Sequence, residues 1–230
     1  MDQGVTIRIE GTRNRAGLDR DERLVKDGIL RMGSLVESQI RDAVRAIVDR
    51  DVRLAEAVIE GDSRINDAQR EVGDAIVMTI ATQAPVARDL RFLMALDHVA
   101  FELERIGDHA SSVAKAARRL ADAPALREVA DLARMGNLAA DLVSGIITAL
   151  IDIDDGQARL VAARDDDIDH AYHALFGKVI ELMRAEPDTV ERGTRLILAS
   201  HWIERIGDRV TNIAENVVYL ATGQVEDLNP

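Results

Sequence analysis

Apolar residues recur at intervals of three and four along most of the chain, the period of a helix with one buried face. Leu24, Ile29, Met32, Leu35, Val36, Ile40, Val44 and Ile47 predict a first helix over about 19–49. Asp49-Arg50-Asp51 marks a turn, with Asp51 placed to cap the next helix. Leu54, Val58, Ile65, Val72, Ile76 and Ile80 carry that second helix to about Thr82. Pro85 opens a third, a position proline tolerates, which runs through Leu93, Leu96, Leu103, Ile106 and Val113 to about Ala121. Pro124 then interrupts the chain. A fourth helix is expected over about 126–151 and a fifth over about 156–184. A sixth starts at Pro187-Asp188 and ends near Ala221, where Gly223 suits a helix stop. Residues 1–18, polar and glycine-containing, read as a mobile leader, and 223–230 as a tail.

Three helices, a proline break and three more helices suggest a repeat, and particular residues support it. RMGSL at 31–35 returns as RMGNL at 134–138, 103 residues on. Asp49 and Asp51 return at the same offset as Asp152 and Asp154, and Asp62-x-x-Ile65-Asn66 as Asp165-x-x-Ile168-Asp169. ERIGD at 104–108 returns at 204–208, an offset of 100, so three residues are lost near the second hairpin turn. The fold class is therefore all-α: six long helices in two tandem three-helix units, 19–122 and 125–222.

The ERIGD copies carry the candidate chemistry. Four residues is about one turn, so Glu104 and Asp108 share a helix face, as do Glu204 and Asp208. Stacked carboxylates repel unless a cation sits between them. A short connection makes helices 2 and 3 antiparallel, so residues equidistant from the turn lie level. Asp62/Asn66 and Glu104/Asp108 are equidistant from residue 85; Asp165/Asp169 and Glu204/Asp208 are equidistant from the bond before Pro187. Two one-turn pairs should thus face each other across each hairpin. Such oxygen-rich grooves suit magnesium, manganese, calcium or iron, and zinc also accepts carboxylates, with room for more than one ion. Asn66 leaves the first groove one charge poorer. His201, one turn before Glu204, is a further candidate ligand, whereas His109 points to another face and His170 and His173 read as surface residues. The competing reading is that Arg105 and Arg205 neutralise these acids as interhelical salt bridges.

Composition narrows the classes. With 29 Lys+Arg against 41 Asp+Glu the net charge is -12, which argues against wrapping nucleic acid or lying directly on an anionic membrane. No cysteine means no disulfide, thiolate metal site or cysteine nucleophile, in keeping with a cytoplasmic protein. No apolar run approaches the roughly 20 residues of a membrane span, and the start lacks a signal core. Nucleophile-elbow, P-loop and dinucleotide-binding patterns are all missing, and glycine stands where a di-iron oxidase would carry the histidine of Glu-x-x-His. A non-enzymatic metal-binding adaptor is the leading expectation. A metal-dependent phosphoester hydrolase using the clustered carboxylates is the alternative, and a helical adaptor with purely structural acids the third. Long amphipathic helices are compatible with a homodimer.

MGSLVE in helix 1, VIEGDSRIN in helix 2, QAPVARDLR entering helix 3, LERIGDHA, DDDID in helix 5 and IERIGDRVTNIAENV in helix 6 together resemble the PhoU family of phosphate-specific transport accessory proteins, over residues 19–223. The resemblance implies two three-helix bundles related by pseudo-twofold symmetry. It also implies paired acidic motifs that hold metal, at Glu104, Asp108, Glu204 and Asp208 with Asp62, Asn66, Asp165 and Asp169 opposite. It implies repression of phosphate-starvation signalling and restraint of phosphate uptake, through contacts with the phosphate transporter's ATPase and a sensor histidine kinase. Any membrane association would run through those partners. Asp89 and Arg91 match charged positions of the family's D-L-R and are candidate partner contacts.

Overall fold

The computed structural model describes residues 9–229, and helices account for nearly all of them. α1 spans Ile9–Asp49, α2 Val52–Gln83 and α3 Ala87–Leu120, the first unit. α4 spans Val129–Asp152, α5 Asp155–Ala162, α6 Asp165–Ala185 and α7 Val190–Thr222, the second. A 3₁₀ turn, Pro187–Thr189, joins α6 to α7. Pro85 lies in the connection 84–86 rather than inside α3, while Pro187 begins the 3₁₀ turn.

The duplication is visible in the turns. Arg50 and Ile153, one repeat apart, both adopt left-handed backbone, with φ of 56° and 52°. Each is followed by an aspartate that caps the next helix: Asp51 accepts from the Leu54 N–H at 3.0 Å, and Asp154 from the Gln157 N–H at 2.9 Å. Gly223, with φ of 76°, ends α7 as expected.

Within each unit the long helices pack antiparallel, and the units join along two seams, α1 on α4 and α3 on α7. One apolar core runs through both, from Val36 and Leu103 to Met135, Ile146 and Ile206. The α1–α4 seam is reciprocal. A Cβ on Gly33 would stand 2.9 Å from Ile147, and a Cβ on Gly136, its mate in the repeat, 2.2 Å from Val44, the mate of Ile147. Residue i meeting j while the mate of j meets the mate of i is the mark of a twofold contact, here folded into one chain. On the α3–α7 seam the same operation relates a stacked pair, His109 on Trp202 at 5.4 Å, to an ion pair, Arg209 with Glu102 at 3.4 Å.

Three expectations need correction. The leader does not persist to residue 18: α1 starts at Ile9, Leu18 is buried, and Arg15 reaches across to Asp89; residues 1–8 lie outside the described residues. The fifth helix is two, broken at Ala163-Arg164, whereas its counterpart α2 is continuous through Glu60-Gly61. Asp165, Asp166 and Asp167 crowd the first turn of α6, where acids favour starting a new helix. The third concerns α4. Despite four charged side chains it is long and apolar enough to cross a membrane, but its apolar face is spent inside the molecule, with Leu132, Met135, Leu142, Ile146 and Leu150 fully buried. The tail folds back as well: Leu228 packs against the core.

Candidate metal centre

Both hairpins bring the expected acids together at the expected height. In the first, Gly107 of α3 lies over Ile65 of α2, with Ile65 Cδ1 3.0 Å from where a Cβ would stand. Asp62, Asn66, Glu104 and Asp108 surround this crossing, all partly buried. In the second, Gly207 of α7 lies over the start of α6. A Cβ there would fall 1.9 Å from Asp165 Oδ1 and 3.4 Å from Ile168 Cδ1. The glycine of each ERIGD is therefore the space into which the facing helix fits, a use that offsets its poor helix propensity.

The electrostatics reflect that crowding. Burial pushes Asp62 and Glu104 above the usual carboxylate range, and the nearby Asp108 pushes both further. In the second groove burial lifts Glu204, Asp169 and, furthest, Asp165, which reaches about 7; Asp208 adds repulsion to all three. The second groove is thus the deeper anionic well, in line with Asn66 standing in the first where Asp169 stands in the second. Asp165 is only 5% exposed, and its Oδ1 has no hydrogen-bond partner. Its Oδ2 accepts from the Thr211 hydroxyl at 3.4 Å and from the Asn229 amide at 3.4 Å. Glu204 Oε2 is buried without a hydrogen bond too, although His201 Nδ1 lies 3.2 Å away. A buried carboxylate oxygen without a donor costs stability, and such groups mark binding sites more often than scaffolding.

The arginines of ERIGD do not bridge the hairpins. Arg105 lies along its own helix, 3.5 Å from Glu104 and 3.6 Å from Asp108, and Arg205 lies 3.2 Å from Asp208. Partly exposed contacts of this length contribute little. Among the described residues no basic side chain of a facing helix comes within ion-pair distance of these acids. Equally, no three acidic or histidine side chains there stand close enough to share one ion as they are placed.

Other candidates fall elsewhere. His109 sits in the α3–α7 seam; burial and the guanidiniums of Arg205, Arg209 and Arg105 lower it to about 4, so it is neutral at physiological pH. His170 and His173 are exposed. Asp89, at the start of α3, accepts a 2.6 Å hydrogen bond from Arg15 and is half-buried, whereas Arg91 is exposed. Gln39 is a residue that the sequence reading passes over. It is buried in the apolar face of α1 between Val36 and Ile40, and its amide donates to the Val58 carbonyl at 3.2 Å and to Asp62 at 3.5 Å. A lone glutamine inside an apolar stripe is the signal that could have found it. The second unit has Leu142 at that position, and the amide on its buried acid comes from Asn229 instead.

The fold is shared with known proteins. The PhoU domain model matches the chain twice, over residues 29–117 and 132–217, one match per unit. A Clostridium acetobutylicum protein named as a phosphate-specific transport system accessory protein PhoU homolog is 36% identical over 202 residues, covering 87% of this chain and 92% of that protein. A Pseudomonas aeruginosa protein of the same name is 35% identical over 200 residues, covering 86% and 83%. The crystal structure of PhoU from Pseudomonas aeruginosa superposes with a TM-score of 0.86 at 34% identity, over 90% of this chain and 99% of that one. The phosphate transport system regulatory protein PhoU from Streptococcus pneumoniae gives 0.85 at 30% identity, over 91% and 99%. Twofold domain match, relatives aligned over most of their length and superposable crystal structures agree: the chain belongs to the PhoU family.

Proposed function

We propose that this chain is a metal-binding regulatory adaptor of a phosphate transport system, restraining phosphate uptake and repressing the phosphate-starvation response. The single observation that carries the metal half is the buried, donorless carboxylate oxygen of Asp165, pressed against Gly207 amid Asp169, Glu204 and Asp208. A cation would supply the counter-charge that no described side chain does. The residues fit a hard or borderline ion: carboxylates dominate, no thiolate is available, and His201 is the one nitrogen at hand. Magnesium, manganese, iron and zinc are all compatible, in one or more ions per well. Asp165, Asp169, Glu204 and Asp208 would hold the ion in the second unit, and Asp62, Asn66, Glu104 and Asp108 in the first. A bound ion supplies positive charge that ties facing helices together. The residues themselves set the wells' position and leave the helices closely apposed at the two glycines, against Ile65 and Ile168.

The regulatory half rests on the relatives, which are named as accessory and regulatory proteins, not hydrolases. The partners are the phosphate transporter's ATPase and a sensor histidine kinase, with the chain acting as a cytoplasmic homodimer. The start of α3 is the contact we assign to the ATPase. Arg91 projects there beside exposed Leu90 and Met94, and Arg15 holds Asp89 in place behind it. Deleting the protein should raise phosphate uptake and derepress phosphatase expression. Arg91→Glu should do likewise, weakening pull-down of the ATPase at least tenfold by placing like charges at an interface. Unchanged uptake and phosphatase levels on deletion would remove the regulatory reading; unchanged pull-down would remove only this contact.

A further inference from the structure

Gly223 turns the chain back at the end of α7, and 224–229 returns along the second unit toward its acidic well. Three attachments hold that segment. Arg159 of α5 grips Glu226 with both arms of its guanidinium, Nη1 to Oε2 at 2.6 Å and Nη2 to Oε1 at 2.9 Å. The Leu228 N–H donates to Glu215 of α7 at 3.0 Å, and Leu228 packs on the core. Asn229 then places its amide 3.4 Å from Asp165, whose other oxygen is the donorless one. Between α7 and the returning segment lies a cleft of about 510 Å³, lined by Asp208, Asn212, Glu215, Glu226 and Asn229 among others. Asp208, with its side chain 38% exposed, lines this cleft beside the segment.

Among the described residues the first unit has nothing equivalent. Its chain runs on from α3 into α4, the amide on Asp62 comes from Gln39 inside α1, and Glu56 occupies the place of Arg159 one repeat earlier. Resting on the metal reading above, we infer that residues 224–229 are a strap over the second well alone, latched by Arg159–Glu226, with Asn229 a positioning residue for Asp165. The two wells are therefore kinetically unlike. The first is built from helices only and exchanges its ion without a gate. The second exchanges when the latch opens, and Glu226 and Asp227 at its mouth favour the approach of cations over anions. A bidentate guanidinium–carboxylate contact suits a latch because it fixes geometry as well as charge.

The test uses the full chain loaded with Mn²⁺ alone, and tracks release into excess chelator. A Glu104→Gln plus Asp108→Asn background leaves the second well to be read, and Glu204→Gln plus Asp208→Asn leaves the first. Glu226→Gln, and independently Arg159→Gln, should speed release from the second well by about tenfold, the change expected when a charge-assisted contact is reduced to a neutral one. Neither should alter release from the first. Equal release with and without the latch in the second-well background overturns the strap while leaving the wells intact. Acceleration in both backgrounds overturns it as well, since the effect would then be general loosening. Failure of the unsubstituted chain to bind Mn²⁺ at all removes the metal reading and the strap together.

Discussion

Asp165→Asn should make the metal-free protein more stable at pH 8. The reason is that Asp165 is buried, unpartnered at Oδ1 and lifted to about 7 from an ordinary 3.8. Proton binding sets the sign. Below about pH 4 the carboxyl is protonated whether the chain is folded or not, and contributes nothing. Between that pH and about 7 the unfolded chain has lost a proton that the folded chain keeps, so stability falls as pH rises. Above 7 the folded chain bears the whole cost, at most about 4 kcal/mol for a displacement of this size. The groups facing Asp165 are Asp169 on α6, Glu204, Asp208 and Thr211 on α7, and Asn229 on the strap; none brings a positive charge. Asparagine keeps the shape and removes the charge. Allowing for relaxation, we expect a gain of about 2 kcal/mol, a rise in Tm of roughly 4–8 °C for a chain of this size. The gain should vanish at pH 4, and reverse with a saturating divalent ion, which fills the first well of both proteins but binds the second well more tightly in the unsubstituted one. Thermal unfolding of both proteins at the two pH values, with and without Mn²⁺, checks this; no difference at pH 8 would mean that Asp165 is not an uncompensated anion.

Gly207→Ala should lower the second well's cation affinity by about 100-fold, near the upper end of what disturbing a metal site's surroundings costs. A methyl there would fall 1.9 Å from Asp165 Oδ1, so the carboxylate must leave the well. Gly107→Ala is the contrast. Its methyl meets the tip of Ile65 at 3.0 Å and Gln39 at 3.3 Å, neither of them a ligand of the first well, and a shift of a few tenths of an ångström accommodates it. Its effect on affinity should stay within about tenfold. Titration of Mn²⁺ into each variant, with the other well silenced, separates the two. Equal losses would show that the glycines serve only helix packing.

Much of the fold is legible in the sequence because helical periodicity is a local signal and the duplication states it twice. Asp62 lies level with Asp108, and Asp165 with Gly207, because the turns of both hairpins are short enough to fix register. The illegible features depend on non-local packing. The break at Ala163-Arg164 carries no proline or glycine, and arises where three aspartates open a new first turn. The leader reads as unstructured because its polar residues cover only the backward extension of α1; the contact that holds Arg15, with Asp89, lies 74 residues away in sequence. Gln39 and Asn229 play the same part in the two wells from unrelated positions, which no repeat alignment could reveal. The strap is invisible for a like reason: GQVEDLNP is short and polar, and only Arg159, Glu215 and Asp165 around it give it a place.

We propose that each hairpin presents its carboxylates to a cation. Elemental analysis of protein purified without chelator addresses it directly, comparing the unsubstituted chain with Glu104→Gln plus Asp108→Asn, Glu204→Gln plus Asp208→Asn, and all four substitutions together. Bound iron, zinc, manganese or magnesium is expected in the unsubstituted protein, with a partial loss in each double variant that is larger for the second well, and no bound metal in the quadruple variant. Metal content at background in the unsubstituted protein, or unchanged in the quadruple variant, would contradict it.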